Sequence, residues 1–142
     1  MKCEKCTLCC KLLPIEQLEK HASVLCKFCN DDGCIVYSTR PEACKNFKCY
    51  YLSNENLSPE LRPDKCHMIF EKIDNYNIYL ALEDPEYIGV HKDYMYFIEE
   101  LNKQNYSVIV SSYSRAPKHL YITSGVTKEE VMKQIKESVE AL

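Results

Sequence analysis

Cys3-Glu-Lys-Cys6-Thr-Leu-Cys9-Cys10 is followed by Cys26-Lys-Phe-Cys29-Asn-Asp-Asp-Gly33-Cys34 and then by Cys44-Lys-Asn-Phe-Lys-Cys49. Nine of the ten cysteines in 142 residues lie in these three stretches, and the tenth, Cys66, stands apart. Such crowding has two main chemical explanations, disulfides or metal. The N-terminal text, MKCEKCTLCCKLLP, has no apolar core followed by a small-residue cleavage site, so no signal peptide is read there. No apolar run approaches the ~20 residues of a membrane span. The expectation is therefore a cytoplasmic, reducing setting, where stable disulfides are rare. That moves the weight of the cysteine argument to metal.

A C-x2-C turn brings two sulfurs to one side of a tight loop, the reach that a tetrahedral ion with Zn–S bonds of about 2.3 Å needs. The candidate ligands are Cys3, Cys6, Cys9, Cys10, Cys26, Cys29, Cys34, Cys44 and Cys49. Adjacent cysteines point apart in most backbones, so Cys9 and Cys10 are expected to serve different ions, or one of them to bridge. Zinc is the leading cofactor, as two four-thiolate sites or as a multinuclear cluster with bridging thiolates. Iron or an iron–sulfur cluster is the alternative, since such clusters also take four thiolates. The ferredoxin run places its fourth Cys three residues on and before a Pro, unlike the adjacent Cys9-Cys10 pair. Two C-x2-C knuckles well apart look more like zinc.

Hydrophobic residues make up 46% and charged residues 27%, the range of globular proteins. Three glycines and no GxGxxG or GxxxxGK[ST] pattern argue against a phosphate-cradling loop. Net charge is uneven: residues 1–50 hold eight Lys/Arg against six Asp/Glu, and residues 51–142 hold ten against fifteen. Lys2, Lys5, Lys11, Lys27, Lys45 and Lys48 interleave the cysteines, where they would offset thiolate charge or simply be solvated. The patch is too small to argue for nucleic acid.

Along the chain, Pro14 to Leu25 has Ile15, Leu18, Ala22 and Leu25 at helical spacing, and predicts a helix. Asn30-Asp31-Asp32-Gly33 is turn text that delivers Cys34 to a short β-like run, Ile35-Val36-Tyr37. Arg40-Pro41 opens a helical turn carrying Cys44. It is read either as a loop breaker with a first-turn proline or as an arginine donating to a metal-bound sulfur or a carbonyl. Residues 50–66 read as a loop with one helical turn. Residues 67–83 predict a β-hairpin, with Asp74-Asn75-Tyr76-Asn77 as its turn and Ile78, Leu80 and Leu82 alternating. A helix over Lys92–Gln104, strands over Tyr106–Tyr113 and His119–Thr123, and a terminal helix opened by the Thr127-x2-Glu130 capping box follow. Val131, Ile135, Val139 and Leu142 form that last helix's apolar face.

The expected fold is α+β. A Cys-rich metal-binding module, residues 1–66, packs on a ββαββα unit, residues 67–142, as one compact domain. The ββαββα unit is read as a four-stranded, largely antiparallel sheet with two helices on one face. His21, His91 and His119 fit no ligand or triad spacing and are read as surface residues. Cys66, beside His67, is either a spare nucleophilic or redox thiol or a small buried residue at a strand start.

The cysteine third resembles the YkgJ-type cysteine-cluster family, the zinc- or iron-chelating CxxCxxCC family. The matching text is Cys3-x2-Cys6-x2-Cys9-Cys10, Cys26-x2-Cys29, Gly33-Cys34-Ile35-Val36-Tyr37, Arg40-Pro41-Glu42-Ala43-Cys44 and Phe47-Lys48-Cys49. Leu61-Arg62-Pro63-Asp64-Lys65 and Ile69-Phe70-Glu71 are similar to one branch of it, so the likeness covers residues 3–75. Cys66 is not part of that pattern. The resemblance implies metal chelation. Through a similar domain in flagellin lysine N-methylase, it also implies an iron–sulfur cluster in a modifying enzyme or one of its subunits. A third expectation is an interaction module, in which the metal scaffolds a surface for a protein partner.

Overall fold

The computed structural model describes residues 6–47, 49–54, 56–114 and 117–140. The expectations placed on Lys2, Cys3, Lys5, Lys48 and Leu142, and on the side chain of Val139, lie outside the described residues. In chain order come α1 (Leu8–Leu12), a two-residue ribbon of β1 (Cys29–Asn30) and β2 (Gly33–Cys34), α2 (Glu42–Asn46), α3 (Tyr50–Ser53) and α4 (Pro63–Cys66). Then follow β3 (Met68–Lys72), β4 (Ile78–Glu83), α5 (Met95–Lys103), β5 (Ser107–Ser111), β6 (His119–Tyr121) and α6 (Lys128–Glu140). No described helix is long and apolar enough to cross a membrane.

Several elements form for the local reasons read above. β3 and β4 pair antiparallel from Met68↔Glu83 to Lys72↔Tyr79, and Asn75 takes the left-handed φ of 68° that the tight turn requires. At the head of β2, Gly33 has φ 113°, a region that favours glycine, while the Asn30 side chain accepts from the Asp32 amide at 2.8 Å. The capping box at α6 is reciprocal. The Glu130 amide donates to Thr127 Oγ1 at 3.2 Å, and the Thr127 amide donates to Glu130 Oε2 at 3.3 Å.

The second sheet has the order β3-β4-β5-β6, and its central pair departs from the expected antiparallel arrangement. β4 and β5 run parallel, from Ile78↔Ser107 to Leu82↔Ser111. A parallel pair needs a long crossover, and α5 supplies it. Val108, Ile109 and Val110 are all buried, as expected of a strand covered on both faces rather than one.

For the same reason the two long helices do not share a face. Phe97, Ile98 and Leu101 of α5 pack on Met68, Phe70, Ala81, Val108 and Val110. Val131 of α6 packs with Ile78 and Ile109, whose side chains alternate to the opposite side. That opposite side also receives the cysteine third, where Leu8 and Leu12 of α1 pack with Cys49 on Ile69 and Leu82. Lys11 locks this contact: its Nζ donates to both Asp84 oxygens at 3.0 and 2.9 Å and to Glu86 Oε2 at 2.5 Å.

The helix expected over Pro14–Leu25 does not form. A 3-10 turn at Glu16–Leu18 ends in Glu19 at φ 51°, and Ile15 and Lys20 make an isolated antiparallel bridge. Val24 and Leu25 are 53% and 55% exposed. Long-range backbone bonds override the weak local periodicity: the Ser23 amide donates to Leu12 O and the Cys26 amide to Cys10 O. Nor does Ile35-Val36-Tyr37 form a strand, since a 3-10 turn occupies Tyr37–Thr39. Residues 50–66 hold more helix than expected, in α3, α4 and a 3-10 turn at Pro59–Leu61.

Candidate metal centre

The short elements of the cysteine third deliver its thiols from several directions. α1 carries Cys9 and Cys10, and the Cys10 carbonyl takes the Cys26 amide at 3.0 Å, tying the first stretch to the second. β1 and β2 set Cys29 directly opposite Cys34. Directly opposed side chains in an antiparallel pair lie on one face, a few ångströms apart. α2 presents Cys44, and Cys49 stands at the start of α3.

The result is a cavity of about 700 Å³ lined by Cys6, Cys9, Cys10, Cys26, Cys34, Cys44 and Cys49. Cys29 does not line it, but stands opposite Cys34, which does. Consecutive positions on the helical turn of α1 leave the Cys9 and Cys10 side chains about 100° apart round the axis, and both line the cavity. Cys9, Cys10, Cys26, Cys29, Cys34, Cys44, Cys49 and Cys66 are free thiols. Among the described residues, no three Cys, His, Asp or Glu donors are drawn into a coordination sphere. What the fold provides is a shared cavity with a sulfur-rich lining, a donor set suited to thiophilic ions such as Zn²⁺.

Hydrogen bonding from Cys9, followed by burial, pushes the Cys10 thiol far up. Burial first, and then neighbouring cysteines, push Cys29 and Cys44 up as well. Several thiolates cannot share such a cavity without a cation. A bound divalent ion reverses that balance and deprotonates the thiols it takes.

No family model, curated protein or solved structure matches this chain. Its chemistry is argued from the residues themselves.

One charged group beside the cysteines was missed from sequence. Lys20 is 9% exposed, and its ammonium donates to the carbonyls of Lys11 at 3.2 Å, Leu13 at 2.5 Å and His21 at 3.1 Å. Burial lowers its pKa, and Cys26, Cys10, Cys9 and Cys44 oppose that shift, so the ammonium lies within electrostatic reach of all four. The interleaved lysines behave differently. Lys11 is committed to Asp84 and Glu86, Lys45 pairs with Glu42 at 3.6 Å, and Lys27 lies over the Phe28 ring. Arg40 stacks on Tyr37 at 4.0 Å from its centroid, and its charge favours the Cys44 thiolate against burial. Only Lys20's distance in sequence from any knuckle concealed it.

Cys66 is fully buried, and its thiol donates towards Leu61 O at 3.5 Å and Met68 O at 3.4 Å. Of the two readings, the buried packing residue is the one observed. Burial pushes this thiol up to about 11 from an ordinary 9.0. A folded-state pKa above the unfolded one means its contribution to stability is complete below pH 9 and is lost as pH rises towards 11. Alkylation of the native, metal-free chain at pH 8 is expected to modify Cys34 and Cys44 and spare Cys66 until denaturant is added. Peptide mass spectrometry reads this directly, and equal labelling of Cys66 and Cys34 would contradict the packing.

His91 corrects the surface reading: it is fully buried. Glu83 Oε2 accepts from the amides of Gly89 at 2.9 Å and His91 at 3.0 Å, and lies 3.1 Å from His91 Nδ1. His91 Nε2 lies 2.8 Å from the Tyr121 hydroxyl. Both ring nitrogens of His91 are thus engaged, Nδ1 by Glu83 and Nε2 by Tyr121. Gly89 at φ 93° turns its amide towards Glu83, a conformation costly for other residues. This network joins β4, β6 and the 3-10 segment before α5, and every polar atom named in it has a partner. The His119 ring lies tilted against the His91 ring, 4.9 Å between centroids, and is half-buried rather than on the surface.

Proposed function

We propose that this is a metal-binding protein whose clustered cysteines coordinate two or more zinc ions, in a structural or metal-handling role within a reducing, cytoplasmic setting. The observation that carries the reading is the convergence of seven cysteines, from Cys6 to Cys49, on one cavity of about 700 Å³. A reason to hold that many thiols together in short, weakly self-supporting elements is the ion that would bridge them. The resemblance of residues 3–75 to the zinc- or iron-chelating cysteine-cluster family supports the same reading. A catalytic zinc keeps an open position and has three protein ligands, whereas a cysteine-saturated set is closed, which favours structure or metal handling over catalysis.

Metal analysis of anaerobically purified protein tests this. A colourless protein with about two or three zinc ions per chain is expected. Brown protein with iron and acid-labile sulfide replaces zinc by an iron–sulfur cluster. Protein that takes up neither metal on anaerobic reconstitution overturns the reading.

A further inference from the structure

We infer that the cysteines divide into two neighbouring metal sites that meet at the Cys9–Cys10 pair: an outer site drawn from Cys10, Cys26, Cys29, Cys34 and Cys44, and an inner site containing Cys6, Cys9 and Cys49. This rests on the metal-binding reading above and adds to it which residues share an ion.

The inner group is set by packing. Cys49 is 7% exposed and belongs to the apolar cluster of Leu8, Leu12, Ile69 and Leu82, against which Cys6 and Cys9 also pack. It lies between the cysteine third and the sheet. The outer group is set by backbone geometry on the far side of α1. The Cys26 amide bonds Cys10 O, and the ribbon opposes Cys29 and Cys34. Cys44, on α2, lines the same cavity as Cys10, Cys26 and Cys34.

Cys44 and Cys49 are close in sequence but are parted by the chain itself. α2 ends at Asn46, Phe47 is extended at φ −75° and ψ 126°, and α3 begins at Tyr50. The two sulfurs therefore leave from separate helical turns, Cys44 within α2 and Cys49 at the start of α3. Cys9 and Cys10, about 100° apart on their helical turn, reach one to each side. The two groups also differ in charge. Lys20 lies within reach of Cys26, Cys10 and Cys44 of the outer group and of Cys9 at the junction, while Cys49 is steadied by the Tyr51 and Leu52 amides.

The test is native mass spectrometry and Co²⁺ titration on the full chain and its variants. Wild type is expected to hold two ions. Cys26→Ser/Cys44→Ser retains one, Cys49→Ser and Cys6→Ser each retain one, and Cys26→Ser/Cys44→Ser/Cys49→Ser retains none, because four thiolates complete a site and the outer group offers five. Cys29→Ser/Cys34→Ser and Cys6→Ser provide a second variant for each group should the first misfold, and hydrogen exchange of β3–β6 monitors folding. The division is overturned if Cys49→Ser or Cys26→Ser/Cys44→Ser removes both ions from a folded chain, or if Cys26→Ser/Cys44→Ser/Cys49→Ser still holds one. Wild-type chain that binds neither Zn²⁺ nor Co²⁺ overturns the metal reading itself, a result distinct from either of those.

Discussion

Chelation of the metal at neutral pH is expected to unfold residues 6–49 while leaving β3–β6 folded. The elements of the cysteine third cannot hold themselves. α1 and α2 have five residues each, and the ribbon strands two each. Isolated helices shorter than about 12–15 residues are marginal in water, and a lone two-stranded ribbon is no better. Bound Zn²⁺ contributes roughly 10–16 kcal/mol to the folding of small zinc modules, as much as the whole net stability of a typical domain. The sheet, by contrast, has its own core of Met68, Phe70, Ala81, Ile98, Leu101, Val108 and Val110. Hydrogen exchange read by mass spectrometry should show amide protection lost across 6–49 and kept in 68–111. Equal protection of residues 6–49 with and without metal would sink the expectation.

Replacing Lys20 is the next largest effect. Lys20→Met keeps much of the aliphatic stem but removes the ammonium that three carbonyls share. A buried acceptor left without a partner costs about 1–3 kcal/mol, and partial rehydration at this shallow site brings the sum to about 3 kcal/mol. The three carbonyls belong to Lys11, Leu13 and His21, so their release also frees the segment that carries Cys26 towards Cys10. Urea unfolding of the metal-loaded protein measures the loss in stability. A parallel fall in Zn²⁺ affinity is expected, because the charge next to Cys26 and Cys10 is gone. A change below about 1 kcal/mol would mean that water replaces the ammonium without strain.

The expectations that failed share a cause. Ile15, Leu18, Ala22 and Leu25 have helical spacing, yet the Ser23 and Cys26 amides bond residues on α1 instead. About three turns of weak periodicity cannot compete with those contacts. β5 was placed correctly but its direction was not, since direction depends on α5 crossing the sheet between β4 and β5. The unbroken Val108-Ile109-Val110 centre was the available clue, because a strand apolar on both sides asks for cover on both faces. His91 had no such clue. Its burial follows from Glu83, Gly89 and Tyr121 arriving from three elements.

The residues by themselves determined what depends on near neighbours: the Asn30–Gly33 turn, the 67–83 hairpin, the Thr127–Glu130 cap and the sulfur-rich chemistry of Cys3 to Cys49. Each follows from side chains a few positions apart, whose geometry the backbone sets within a turn or a strand pair. Tertiary structure alone decided which cysteines face each other, which face of the sheet each long helix covers, and that Lys20, not Lys11, stands beside the thiols. Those outcomes depend on contacts between distant segments, where burial and hydrogen-bond satisfaction outweigh local preference.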